Sequence, residues 1–157
     1  MPSHDPARRA VITGLGAVTP IGNDHPTFWA NAKAGVSGGG PITHFDASNL
    51  DVRIAAEVKD FDPATGMDRK MARRMSRFIH FAMAAGKEAV ADAGLDFSDW
   101  TPEQRDRAAV VVNTGGGGLE QVIDGHVTTE TRGPRFVSPF AIPALSGSMA
   151  ACLLSME

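Results

Sequence analysis

AAVVVNTGGGG occupies residues 108–118. Five apolar residues run without alternation into four glycines. A β-forming run that is apolar on both faces reads as an inner strand of a sheet, and such strands are usually parallel. The pattern LEQVIDGHVT at 119–128 is helical, so the glycines form a side-chain-free ledge between strand and helix. No Gly-Lys-Ser/Thr follows, which excludes a nucleotide phosphate loop. Four glycines exceed what a turn needs. The ledge is therefore expected to be a floor or wall where a ligand or another chain passes close to backbone.

Working outward, RRAVITGLGAVT at 8–19 repeats the theme: Val11 and Ile12 are strand formers, and Gly14 and Gly16 open a loop. GLGAVT resembles a dinucleotide-binding turn, but Thr19 stands at the third glycine position and Pro20 and Gly22 delay the helix. A tight turn under the sheet is the reading adopted, and a nicotinamide-dependent oxidoreductase is a distant third function. Asp24 then caps a helix carrying Phe28, Trp29 and Ala32, which Gly35 ends. GVSGGGP at 35–41 reads as a flexible connection and RIAAEV at 53–58 as a short strand. The best-marked helix is expected over about Arg74–Ala93, closed by Gly94, and Thr101-Pro102-Glu103 starts a shorter one. GPRFVSPFAIP at 133–143 reads as extended and ALSGSMAACLLSM at 144–156 as an apolar closing helix. The order β-α-β-α-β-α-α implies an α/β layered fold.

The chain has 157 residues, 43% hydrophobic and 21% charged, with a net charge of −3. This suits one globular domain over 8–157 behind a short flexible leader, 1–7, without an apolar signal core. No apolar run reaches membrane-span length, so no membrane partner is expected, and the cytoplasm is the default location. One cysteine excludes an internal disulfide framework, and His4, His25, His44, His80 and His126 show no metal spacing. Neither a metal nor a cofactor is expected.

DRKMARRMSR at 68–77 is the most informative charged segment. No acidic residue lies between Asp68 and Glu88, and on one continuous helix Lys70, Arg73, Arg74 and Arg77 share a stripe opposite Met71, Met75, Phe78 and Ile79. Such a stripe is a solvated face or a dock for an acidic partner. Nucleic acid lacks the interleaved exposed aromatics and is not expected as a partner. Cys152 sits in mid-helix beside Leu153 and Leu154 with no cation or histidine nearby in sequence, which reads as a buried packing residue.

Taken together, VITGLGAVTPIGN (11–23), HFDASNLDVRIAAEVKDFDP (44–63), RKMARRMSRFIHFAMAAGKEAVADAGL (69–95), NTGGGGLE (113–120) and GPRFVSPFAIP resemble the N-terminal part of a β-ketoacyl-acyl-carrier-protein synthase of the elongating type. Polyketide ketosynthases share much of the pattern. The resemblance implies a thiolase-like layered fold, incomplete here, and a homodimer. It implies an acyltransferase that condenses an acyl thioester with malonyl-acyl-carrier-protein in fatty acid elongation. A non-catalytic module that binds carrier protein or dimerises is the alternative. On the resemblance, the nucleophilic cysteine and the catalytic histidines belong beyond residue 157. No catalytic residue is therefore expected in the chain, and the chain is not expected to be active alone. Cys152 falls on a glycine position of the family's Asn-Met-x-Ala-Gly run, within the dimer-interface helix. What carries over is a carrier-protein dock through Lys70, Arg73, Arg74 and Arg135, and an acyl-pocket wall at Gly116, Ala141 and Ile142. Phe136 stands where a basic residue is frequent, and Gly116 where some members carry a bulky aliphatic gate.

Overall fold

The computed structural model describes residues 9–157, and the leader expected at 1–7 lies outside the described residues. The chain first crosses the back of a long helix and then enters helix α1 (His25–Lys33). Asp24 caps α1 by accepting the Thr27 N–H at 2.7 Å, and Gly35 follows the end at φ 70°, where a side chain would be strained. The capping carboxyl of Asp24 is held below its ordinary value of 3.8, first by the Thr27 backbone hydrogen bond.

Strands β1 (Gly39–Pro41) and β2 (Ile54–Ala56) pair antiparallel, with Gly40 opposite Ala55. The expected connection at 35–41 thus contributes a strand. Two short helices and one long one follow: α2 (Arg69–Ala72), α3 (Arg77–Asp92) and α4 (Pro102–Arg105). Thr101 and Gln104 close a reciprocal capping box on α4, as the Thr-Pro-Glu start suggested. Helix α5 (Leu119–Arg132) is followed by a 3₁₀ turn at Pro134–Phe136, helix α6 (Ala141–Leu145) and helix α7 (Met149–Met156). The stretch 133–143 is therefore largely helical turn and not extended. The closing helix is broken in two at Ser146–Ser148.

The core lies where α3 meets α7. Ile79 (0% exposed), Met83 and Ala150 are buried there with Met67, Met75 and Leu153. Burying a side chain such as Ile79 stabilises the fold by about 1.5–3 kcal/mol. Gly86 lets Leu154 of α7 settle directly on α3, since a Cβ there would lie 2.5 Å from Leu154 Cδ2. Half of the core side chains named are methionines, whose unbranched chains fill an irregular seam between two helices.

The two expected inner strands are corrected by the structure. Neither 10–13 nor 108–113 sits in a ladder, and β1–β2 is the sheet found among the described residues. Val11, Ile12 and Val111 are accordingly exposed, Val111 at 90%. Strand-forming composition makes a segment competent for a ladder, but the ladder needs a partner backbone, and the described residues bring none alongside.

Candidate functional site

The basic segment is built on a helix break. Asp68 caps α2 by accepting the Lys70 and Met71 N–H groups at 2.8 and 2.9 Å. These hydrogen bonds, that from Met71 foremost, hold its carboxyl below 3.8. Helix α2 ends at Ala72, and α3 starts only at Arg77. Two buried side chains hold the break. Ser76 leaves its own helix end uncapped and donates its hydroxyl to the Ala144 carbonyl at 2.6 Å, 68 residues away. His80, 9% exposed, bonds the Ala72 carbonyl at 2.8 Å through Nε2 and so ties the end of α2 to α3. His80 is thus a packed, hydrogen-bonded side chain.

The break dissolves the single stripe expected for a continuous helix. Arg77 turns inward, donating from Nη2 to the Val58 carbonyl at 2.8 Å and stacking on Phe81. Arg69 pairs with Asp62 at 3.7 Å. Arg73 and Arg74 remain on the turn itself. Arg74 lies over the Phe140 ring, 4.3 Å from its centroid, and Phe140 packs against the core. A cation held on an aromatic face retains its charge while losing much of its rotamer freedom.

Arg73 and Arg74 line a cleft of about 320 Å³ with Gln121 and Asp124 of α5, Phe136 and Ala141. The guanidinium of Arg135 lies over Phe136, 4.8 Å from the ring centroid, and Arg132 of α5 lies at the same distance. Of the expected docking residues, Arg73 and Arg74 therefore face one cleft, with Arg135 on its Phe136 edge. Lys70 is exposed on α2 and does not line it. Among the described residues the ion pairs are Arg69–Asp62 and Lys87–Glu157, so Arg73, Arg74, Arg132 and Arg135 form none there. Sequence reading passed over Arg132. Its signal was the Arg-x-x-Arg-Phe spacing at 132–136, which puts two cations beside one ring when a turn follows the helix.

The expected wall residues differ in setting. Ala141 lines the arginine cleft, Gly116 is exposed, and Ile142 is 73% exposed on α6. The glycine ledge instead meets its own chain. A Cβ on Gly118 would collide with Ser76 Oγ and the Ala144 carbonyl, and one on Gly117 with the Leu145 carbonyl. The Gly118 N–H donates to Leu145 O at 3.1 Å. Gly117 and Gly118 thus seat the end of α6.

The first glycine loop is likewise occupied. Cβ atoms on Gly14 and Gly16 would strike the carbonyls of Ala89 and Ala85, so these glycines let the chain cross α3 in backbone contact. Glu88 accepts the Ala17 and His25 N–H groups at 2.8 and 2.7 Å, and Asp92 accepts Leu15 N–H at 2.8 Å. Amides that a dinucleotide phosphate requires are already bound to two carboxylates, which would also repel it. Glu88 and Asp92 escaped the sequence reading. Their signal was an i, i+4 acidic pair, the two carboxylates of α3.

A recess of about 880 Å³ lies between His44, Lys59 and Arg77, and two of the side chains lining it are engaged within the chain. Glu57 accepts from the Thr43 hydroxyl and the Thr43 and His44 N–H groups, and Arg77 is bound to Val58. Cys152 is exposed, which corrects its expected burial. Ala150 and Leu153 take the core face of α7, and Cys152 points some 200° away from Ala150 at 100° per residue. Among the described residues no group of His, Cys, Asp and Glu is arranged to hold a metal, and no helix is long and apolar enough to cross a membrane.

Comparison with known proteins places this geometry. The family described as "Beta-ketoacyl synthase, N-terminal domain" matches residues 7–157. A 3-oxoacyl-[acyl-carrier-protein] synthase 2 of Synechocystis sp. is 43% identical over 150 residues, covering 96% of this chain and 35% of the relative. Its namesake in Staphylococcus aureus is 44% identical, covering 96% of this chain and 36% of the relative. Among solved structures, the ishigamide ketosynthase/chain length factor superposes with a TM-score of 0.80 at 30% identity, over 94% of this chain and 36% of that one. The thiolase-like layered class expected from the sequence is the class of these neighbours. The chain spans about a third of the length of the curated relatives it matches.

Proposed function

Because the chain belongs to the β-ketoacyl synthase family, matched through its N-terminal domain, we propose that it is the carrier-docking part of a 3-oxoacyl-acyl-carrier-protein synthase. The whole enzyme condenses an acyl thioester with malonyl-acyl-carrier-protein in fatty acid elongation, with transfer of the acyl group. The chain's own contribution is recognition. Lys70, Arg73, Arg74 and Arg135 meet the acidic carrier protein, Gly116, Ala141 and Ile142 belong to the acyl-pocket wall, and exposed Ile142 also suits contact with a second subunit of a homodimer. The bond-making residues are assigned to sequence outside 1–157. Exposed Cys152, in mid-helix and hydrogen-bonded only through its backbone, is not among them. The reading calls for no cofactor and places the reaction in the cytoplasm.

The observation that carries the reading is the pair Arg73–Arg74. A rigid break presents both on one cleft, without a carboxylate partner among the described residues. Opposed charge fields of this kind steer association and fix register. Titration of acyl carrier protein against the chain tests it. Changing Lys70, Arg73 and Arg74 together to Glu should weaken binding by well over about tenfold at low salt, and unchanged binding refutes the dock. Residues 1–157 alone should give no condensation or malonyl decarboxylation above blank. A second reading is a polyketide ketosynthase with the same dock, since polyketide ketosynthases share much of the sequence pattern at 11–23 and 133–140. Turnover of the whole enzyme with a polyketide against a saturated acyl primer separates the two.

A further inference from the structure

We infer that Phe136 is a mount for two arginines, and that Arg132, Phe136 and Arg135 form a second rim of the docking cleft facing a carboxylate-bearing segment of the acidic carrier protein. This rests on the docking reading above and extends it to Arg132 and Phe136. By charge counting, an aromatic residue at 136 weakens the patch. The geometry says otherwise. Both guanidiniums lie 4.8 Å from the Phe136 ring centroid, one arriving from the last turn of α5 and one from the 3₁₀ turn. Phe136 itself lines the cleft of Arg73 and Arg74. Gly133, at φ 98°, makes the sharp reversal that brings residue 132 and residues 135–136 together.

Three of the four arginines thus rest on rings: Arg74 on Phe140, Arg132 and Arg135 on Phe136. Stacking restrains long side chains before the partner arrives, so less freedom is lost on binding. A planar fork held in place also suits bidentate contact with carboxylates. Asp124 is the one carboxylate lining the cleft, and it pairs with none of the four. Charge complementarity therefore selects an acidic protein partner.

The experiment measures the affinity of apo acyl carrier protein for the chain at two ionic strengths. The discriminating variant is Phe136→Lys. Charge counting requires it to bind more tightly, whereas loss of the mount requires it to bind more weakly, by about threefold. Arg132→Gln should weaken binding about as much as Arg135→Gln and flatten the salt dependence equally. Phe136→Leu keeps the apolar bulk without the aromatic face. It should cost about threefold in the native background and almost nothing in Arg132→Gln/Arg135→Gln. Phe136 is 45% exposed, so these variants leave the core intact. Tighter binding by Phe136→Lys, native affinity in Arg132→Gln, or the same loss from Phe136→Leu in both backgrounds overturns the inference while leaving the dock standing. If the Lys70, Arg73 and Arg74 triple reversal also leaves affinity unchanged, the dock itself falls.

Discussion

The glycine loop at 14–17 and the arginine turn at 73–74 look alike in one respect, since each is a place where an anion belongs. They differ in where the anion comes from. The loop's amides are already bound to Glu88 and Asp92 of the chain's own helix. The turn's guanidiniums rest on Phe140 or face a cleft, with no carboxylate paired to them among the described residues. A motif's chemistry therefore does not decide whether it is structural or functional. The fold decides, by supplying the counter-group internally or leaving it to a partner. Mutations should accordingly divide, with loop changes costing stability and turn changes costing binding.

The largest effect is expected at the crossing of α3. Gly16→Val drives a branched side chain into the Ala85 carbonyl and the Ala89 amide, both backbone atoms that cannot step aside. A loss of roughly 3 kcal/mol or more, read by thermal or urea unfolding, follows from overpacking against backbone. Near-native stability would mean that the loop does not cross α3 in contact.

Glu88→Ala comes next. It strips the acceptor from two partly buried amides at once, and hydrogen bonds to a charged group are worth about 1.5–3 kcal/mol each, part of which water recovers here. We expect a loss of about 2 kcal/mol, with Glu88→Gln losing less because one amide keeps a neutral acceptor. Carrier-protein affinity of the folded fraction should not move in either variant.

The reverse pattern is expected for Arg73→Glu. Arg73 is exposed and holds no tertiary hydrogen bond among the described residues, so its unfolding midpoint should stay within about 0.5 kcal/mol of native. Its affinity for carrier protein should fall about tenfold at low salt and less at high salt. A variant that unfolds without losing affinity would reverse the division between loop and turn.

How much of this was legible depended on the range of the deciding contact. Helix α1 was readable because Asp24, three residues from Thr27, and Gly35 set its ends locally. The start at Thr101 was readable for the same reason. The break at 73–76 was not, since it contains neither proline nor glycine. It depends on Ser76 meeting Ala144, and no local signal announces a partner 68 residues away. The valines of 108–113 announced a strand, yet a strand is a relation between two backbones, and the described chain supplies only one of them. The site was half legible. The basic residues stood out, but their division into paired Arg69, inward Arg77 and cleft-facing Arg73 and Arg74 is tertiary.

The smallest effect tests the border between the two kinds of site. Asp68 is a structural carboxylate, accepting from the Lys70 and Met71 amides, and it stands at the start of the basic segment. Its folded value is depressed below 3.8, so its stabilising contribution is complete above the unfolded value and is lost as pH falls through the folded one. Asp68→Asn keeps a capping oxygen but removes both the titration and one negative charge beside Lys70 and Arg74. At neutral pH unfolding should change only slightly, and the acid limb of stability below about pH 4 should flatten relative to native. Carrier protein should meanwhile bind about twofold more tightly, because the dock has lost its own competing anion. Weaker binding would show that Asp68 positions the arginines and does not merely compete with the partner. It would then belong to the site as well as to the scaffold.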